Sequence, residues 1–246
     1  MLTARALEGL PEIAAGADLG ALLAAALPAD APLRDGDVVV VAHKAVSKAE
    51  GRVRRLDEVS PGPRAVELAA AQRKDPRHVQ VVLDESAELV RAERGVLIAR
   101  TAHGLVCANA GVDASNAPAP DTLVLLPRDP DASARALRAA LPGRPAVVIA
   151  DSFGRAWRNG QVEVAIGVAG LRALDDWRGR PDTAGRAMRA TWIAIADEAA
   201  AAADLVRDKD SREPAVVVRG LERHVTPEDG PGAAALLRPR AEDLFA

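Results

Sequence analysis

A mixed α+β fold is predicted by three features of this 246-residue chain. Short runs rich in Val, Ile and Leu, each of strand length, recur at residues 37–42, 96–99, 122–126, 146–150 and 215–219. Alanine-rich stretches of helical length lie between them, at residues 64–73, 132–140 and 194–206. The two kinds of segment do not alternate with the regular beat of a doubly wound sheet. No Gly-x-Gly-x-x-Gly follows a strand, so a Rossmann dinucleotide site is not supported. Mixed sheets with helices are the expectation.

Taken in order, residues 19–27 are the most apolar early stretch. Asp18 stands where an N-cap would, so the stretch reads as a helix. It is far too short to span a bilayer. Flanked by Asp18 and Asp30 and without a basic leader, it is not a signal peptide. The strand at 37–42 runs into His43, Lys44, Ser47 and Lys48, where a helical turn begins. Ser60-Pro-Gly-Pro63 is a loop before the helix at 64–73. Pro and Gly clusters at 116–120 and 227–232 are surface loops as well. The helix at 194–206 is the clearest, with Asp197 and Glu198 early and Arg207 at its end, as the macrodipole prefers. The tail beyond Gly232, with Arg238, Arg240, Glu242 and Asp243, is expected to be peripheral. No repeat or linker divides the chain. Residues 1–246 are expected to form one unit, with no legible boundary should it contain two packed subdomains.

Composition narrows the function. The chain is 49% hydrophobic and 27% charged, which is ordinary for a soluble globular protein. A net charge of −3 gives no electrostatic reason to bind nucleic acid. The aromatics are Phe153, Phe245, Trp157, Trp177 and Trp192, too few for a base-stacking platform. Cys107 is the single cysteine, which excludes an internal disulfide and a cysteine-based zinc site. A reducing, cytoplasmic setting without membrane partners is expected.

Two aspartates carry the chemistry. Asp113 lies in Asn-Ala-Gly-Val-Asp-Ala-Ser-Asn at residues 109–116, and Asp151 in Ile-Ala-Asp-Ser-Phe-Gly at residues 149–154. Each sets a carboxylate beside small or hydroxyl residues where an apolar run gives way to a glycine-bearing turn. Such carboxylates hold hard cations against phosphate oxygens. For Asp113 an equally good reading is a turn in which Asp113 and Asn116 bond their own backbone. For Asp151-Ser152 the plainer reading is a helix cap followed by solvated arginines. The nearby Arg155, Arg158, Asn159 and Gln161 suit phosphate and an anionic substrate. Ser47 with Lys48 suits a phosphate at a helix N-terminus, an ordinary surface lysine being the open alternative for Lys48; Lys44 reads as an ordinary surface lysine. His43, at a strand end, is positioned to touch a ligand, whereas His78, His103 and His224 are structural or exposed. There is no Gly-x-x-x-x-Gly-Lys-Ser/Thr loop and no Gly-x-Ser-x-Gly elbow.

Six motifs in fixed order make the chain recognisable. They are Gly-Leu-Pro-Glu-Ile at 9–13, the segment 35–52, the two aspartate motifs, Ala-Asp-Glu-Ala-Ala at 196–200 and Pro-Ala-Val-Val-Val-Arg-Gly at 214–220. In this order the chain resembles the coenzyme F420:L-glutamate ligases, over about 220 residues, in their stand-alone form. The resemblance implies a GTP-dependent ligase. It adds L-glutamate to the deazaflavin precursor coenzyme F420-0, then further γ-linked glutamates, and releases GDP and phosphate. It implies two divalent cations, Mg²⁺ or Mn²⁺, with K⁺ as a helper. It also implies an unusual P-loop-less α+β fold that forms an intertwined homodimer. By position, Leu10, Pro11, Glu12, Ile13, Lys48 and Asn116 match GTP contacts. Asp113 and Asp151 match ligands of the first metal, and Ser152 a hydroxyl on the second. His43 stands where the family has a small hydroxyl residue near GTP. Residues 206–213 replace a glycine-rich nucleotide loop; Arg207 and Lys209 there are assigned to GTP. Asp208 falls where relatives have a metal-binding glutamate, so it is assigned to the second metal. Arg158 is assigned to a substrate carboxylate from residue type alone. Two other readings stay open: a same-fold GTP-dependent ligase for a different carboxylate, and a non-catalytic metal- or nucleotide-binding module.

Overall fold

The computed structural model describes residues 1–243. The chain opens with β1 (Thr3–Ala6), α1 (Leu19–Ala25), β2 (Val38–Ala42) and α2 (His43–Ala49). A second group follows: β3 (Val53–Arg55), α3 (Pro63–Gln72), α4 (Pro76–Asp84), β4 (Ser86–Glu93), β5 (Val96–Thr101), β6 (Val106–Ala108) and β7 (Thr122–Val124). The chain then returns to the first group with α5 (Pro130–Ala140), β8 (Ala146–Arg155) and β9 (Arg158–Ala169). It finishes with β10 (Asp175–Asp176), β11 (Trp192–Ile193), α6 (Ile195–Asp204) and β12 (Ala215–Arg219).

The central sheet has the order β1-β12-β2-β8-β9. Its one parallel pair is β2 with β8, in register from Val38 opposite Ala146 to Ala42 opposite Ala150; the other neighbours are antiparallel. The sequence of β2 explains its central place. Four consecutive valines, Val38–Val41, are fully buried, as a strand covered on both faces requires. Each contributes about 1.5–3 kcal/mol by leaving water. Successive side chains alternate between faces. Val39, Val41, Val147 and Ile149 therefore pack with Leu19 and Leu23 of α1 and Leu137 of α5. Val38, Val40, Ala146, Val148, Val216 and Val218 pack against the alanine face of α6. The small alanines let α6 lie close to the sheet.

A third core is separate. Leu56, Ala65, Val79, Val82, Leu97 and Leu123 fill the space between α3, α4, the β4-β5-β6 sheet and the β3-β7 pair. Local signals set the helix starts. Asp18, Asp75 and Asp129 cap α1, α4 and α5 through N–H groups of Ala21, Arg77 and Ala132, at 2.8–2.9 Å. Pro63, Pro76 and Pro130 occupy first-turn positions, where a missing N–H costs nothing.

Several expectations need correction. Asp151 is not at a glycine-bearing turn, nor does it cap a helix: β8 continues through it to Arg155, and β9 pairs with it the whole way. Arg207 does not serve the end of α6, which stops at Asp204 with no basic residue in its last turn. The early tail is not peripheral. Ala233 is buried against the α6 side of the sheet, and Leu237 packs on the opposite core. Phe245 lies outside the described residues. Among those described, no helix is long and apolar enough to cross a membrane.

Candidate active site

The parallel pair sets the site. Strands β2 and β8 run side by side in the same direction, and the charged side chains gather where β2 ends and β8 continues. The register that pairs Ala42 with Ala150 brings the next residues, His43 and Asp151, together. His43 is 2% exposed, and its Nε2 lies 3.2 Å from Asp151 Oδ1. The contact is within ion-pair reach but off the hydrogen-bonding direction, so Nε2 has no hydrogen-bond partner. The other ring nitrogen, Nδ1, is 3.4 Å from Ser47 Oγ, one helical turn on. Asp151 Oδ1 also accepts the Ser152 N–H at 2.8 Å.

The following residue of α2 reaches the other aspartate. Lys44 Nζ is 2.5 Å from Asp113 Oδ2 and donates to the Ser115 carbonyl (3.1 Å) and Oγ (2.6 Å). Lys44 is thus no surface lysine: it ties α2 to the 113–116 loop. Asp113 exchanges backbone hydrogen bonds with Val124, and its Oδ1 accepts the Ser115 N–H at 2.8 Å. The turn reading of this motif is therefore realised, together with a carboxylate aimed at α2. Half-burial alone would push the Asp113 carboxyl up. The hydrogen bonds from Lys44 and Ser115 outweigh that and hold it below the usual carboxylate range. The start of α2 consequently lies between the two aspartates.

A second charged group forms one pair further along the β8-β9 hairpin, where Ser152 faces Glu163. Glu163 is 4% exposed. Its Oε1 accepts from Ser152 Oγ at 2.8 Å, and Arg207 Nη2 lies 2.8 Å from its Oε2. Arg207 also donates to the Pro214 carbonyl at 3.2 Å. Lys209 Nζ meets Ser152 Oγ at 2.8 Å, Asp204 Oδ1 at 3.0 Å and Glu163 Oε1 at 3.4 Å. Asn116 Nδ2 donates to the Lys209 carbonyl at 3.4 Å, which joins the loop of Asp113 to the loop after α6. Sequence reasoning missed Glu163 and Asp204. For Glu163 the signal was present: it is a single acid in the apolar run Val162 to Ala169. A charge at a core position needs partners.

The remaining candidates are dispersed. Lys48 pairs with Glu12 at 2.5 Å, so the 10–13 segment does meet the lysine on α2. Ile13 is buried in the core and Leu10 packs against it; Pro11 is exposed. Asp208 is exposed, and its backbone carbonyl accepts from Ser211. Arg158 is exposed at the hairpin tip, where it pairs with Arg155 across the turn. That is three residues of β8 beyond Ser152, or about 10 Å at the rise of a strand. Cys107 is buried near Asp151. Burial, reinforced by that negative charge, pushes its thiol up to about 12, so it stays neutral and unreactive.

Asp113 and Asp151 offer anionic oxygens suited to a hard divalent ion. At Ser152 the hydroxyl proton is directed to Glu163 and a lone pair accepts the Lys209 ammonium. A cation already occupies that position. Among the described residues, no three His, Cys, Asp or Glu side chains are grouped as a metal site.

The chain is of the mixed α+β class, with lysines and carboxylates interleaved where β2 ends beside β8 and no glycine-lysine phosphate loop in its sequence. The particular family is settled by comparison: the profile of the F420-0:gamma-glutamyl ligases matches residues 9–220, and the chain belongs to that family. It is 44% identical to the coenzyme F420:L-glutamate ligase of Methanothermobacter thermautotrophicus over 245 residues, covering 97% of this chain and 96% of the relative. The protein of the same name from Methanopyrus kandleri is 44% identical over 94% of this chain and 92% of its own length. That from Halobacterium salinarum is 46% identical over 88% and 86%.

Proposed function

We propose that this protein is a GTP-dependent ligase that joins L-glutamate to coenzyme F420-0 and extends the product through γ-linkages. One observation carries the reading. The family match over residues 9–220 contains every member of the charged crevice, from the Leu10–Ile13 segment to Lys209.

A carboxylate is a poor electrophile, and amide formation in water runs uphill. In the proposed route an oxygen of the precursor carboxylate attacks the γ-phosphorus of GTP and GDP leaves. The acyl phosphate formed has a good leaving group. The amine of glutamate then attacks the acyl carbon, loses a proton and expels inorganic phosphate. Little covalent chemistry falls to the protein, whose contribution is positioning and charge neutralisation. Asp113 and Asp151 are assigned to a Mg²⁺ or Mn²⁺ ion, which supplies Lewis-acid charge to the phosphates when bound. Lys48 is assigned to a β- or γ-phosphate oxygen, leaving Glu12 to do so. The Leu10–Ile13 segment, His43, Asn116, Arg207 and Lys209 are assigned to the nucleotide. Arg158, on the hairpin tip, is assigned to a substrate carboxylate. K⁺ assistance and a homodimer belong to the same proposal.

Mass spectrometry of the deazaflavin after incubation with GTP, Mn²⁺ and glutamate tests it. The expected product is heavier by whole glutamyl residues, with equal GDP released. An unchanged deazaflavin alongside folded protein would leave the substrate assignment without support. GTP-dependent phosphate release with another carboxylate would then favour a same-fold ligase of different substrate.

A further inference from the structure

We propose that the ammonium of Lys209 takes the place of a second divalent cation, so that this ligase works with one divalent ion per nucleotide. The inference rests on the nucleotide reading above. Its basis is the position of the ammonium. Lys209 Nζ has three oxygen partners, Ser152 Oγ at 2.8 Å, Asp204 Oδ1 at 3.0 Å and Glu163 Oε1 at 3.4 Å. Ser152 is the hydroxyl that the family resemblance gives to the second metal. A hydroxyl oxygen, two carboxylates and open space for a phosphate are what a hard cation would need there. A lysine ammonium offers a compact charge with three donors to the same oxygens.

Charge balance supports the substitution. Glu163 and Asp204 bring two negative charges, and Arg207 and Lys209 bring two positive ones. The set is neutral as it stands. A divalent ion added beside Ser152 would meet two cations already in contact with the same carboxylates, and the repulsion within a few ångströms is strong near a protein surface. Both oxygens of Glu163 already face cations: Ser152 and Lys209 meet Oε1, and Arg207 Nη2 lies 2.8 Å from Oε2. The backbone of Lys209 is also tied to the loop of Asp113, because its carbonyl accepts from Asn116 Nδ2 at 3.4 Å. Asp208, its neighbour, is exposed.

A tethered ammonium differs from a bound metal in being permanent, so the expected signature is stoichiometric. The test is Mn²⁺ binding to the full-length protein in the presence of a non-hydrolysable GTP analogue, read by calorimetry and by electron paramagnetic resonance. The wild type is expected to bind one Mn²⁺ per nucleotide, with an uncoupled manganese spectrum. Lys209→Gln, one bond shorter but still able to hydrogen-bond, removes the charge and is expected to admit a second Mn²⁺ and show a spin-coupled pair. Lys209→Arg, which keeps the charge, is expected to stay at one. Lys209 is an exposed loop residue, so all three proteins should fold alike, and circular dichroism checks this. Two coupled Mn²⁺ ions in the wild type would overturn the inference alone, as would a Lys209→Gln protein that still binds one. Failure of the analogue to bind at all would overturn the nucleotide reading and this inference with it.

Discussion

Asp113 and Asp151 stand on either side of the start of α2, yet they have different partners. Asp151 faces a histidine buried against it, His43 at 3.2 Å, and it also accepts the Ser152 N–H. Asp151→Asn keeps that acceptor oxygen and the volume but removes the charge. The fold should survive, and turnover should fall by at least the roughly 10–100-fold that losing even an indirect metal partner costs. GTP-dependent phosphate release at saturating Mn²⁺ measures this, and wild-type turnover would refute the role given to Asp151. Asp113 allows a different experiment, because its carboxyl is held below the usual range by Lys44 and Ser115 against the opposing effect of burial. A carboxyl with a lowered folded pKa stabilises the fold above its unfolded value, roughly pH 4, and loses that contribution as pH falls through the folded value. Asp113→Asn should therefore be less stable than wild type at pH 7. The gap in urea midpoint should stay constant down to about pH 4 and narrow below it. An equal gap at pH 7 and pH 3 would mean that the Lys44 contact contributes nothing through charge.

At the level of elements, the buried strands were legible and the exposed or paired ones were not. Strand β12 falls where the Val-Val-Val run puts it and β2 within a residue of its run, because burial on both faces leaves an unbroken hydrophobic text; β5, buried on alternate residues, starts with its run and continues two residues past it. Strand β9 escaped notice. Its first third, from Arg158 to Gln161, is exposed and polar, and its partner β8 reads as ending at Ala150. What makes it a strand is pairing with β8, a nonlocal cause that no window of sequence contains. Helix α4 was missed because its apolar residues, Val79, Val81, Val82 and Leu83, are mostly β-branched and do not read as helix, although Asp75 and Pro76 mark its start. In the candidate site, His43, Asp113, Asp151, Ser152 and Lys209 were singled out from the sequence. Glu163 and its contacts with Ser152 and Lys209 were not legible, since they come from the hairpin register and from a loop some 46 residues away. Strand β9 also explains one glycine. A Cβ on Gly167 would sit 2.4 Å from the carbonyl oxygen of Pro130, at the first turn of α5. Backbone lies against backbone there, so nothing can swing aside. Gly167→Ala should destabilise the protein by about 1–3 kcal/mol, the cost of overpacking. Urea denaturation checks it, and an unchanged midpoint would show that α5 shifts freely on the sheet.

Across the whole molecule, the crevice is assembled from pieces that meet only in the folded chain. The Leu10–Ile13 segment reaches Lys48, α2 reaches Asp113 across the third core, and the loop after α6 reaches both Asn116 and the β8-β9 hairpin. An unfolded chain offers a triphosphate none of this, so nucleotide binding must stabilise the fold by mass action. At about 100 times Kd the gain is about 2.7 kcal/mol, which for a chain of this size corresponds to a rise in Tm of roughly 5–10 °C. With Mn²⁺ present, GTP is expected to produce that rise and ATP a much smaller one, because the two share every phosphate contact and differ only at the base. The comparison therefore isolates base recognition from phosphate binding. A rise of equal size with ATP would show that the base is not read, and His43, bulkier than the small hydroxyl residue the family resemblance gives at that position, would be the residue to change first. No rise with either nucleotide would remove the phosphate reading of the crevice altogether.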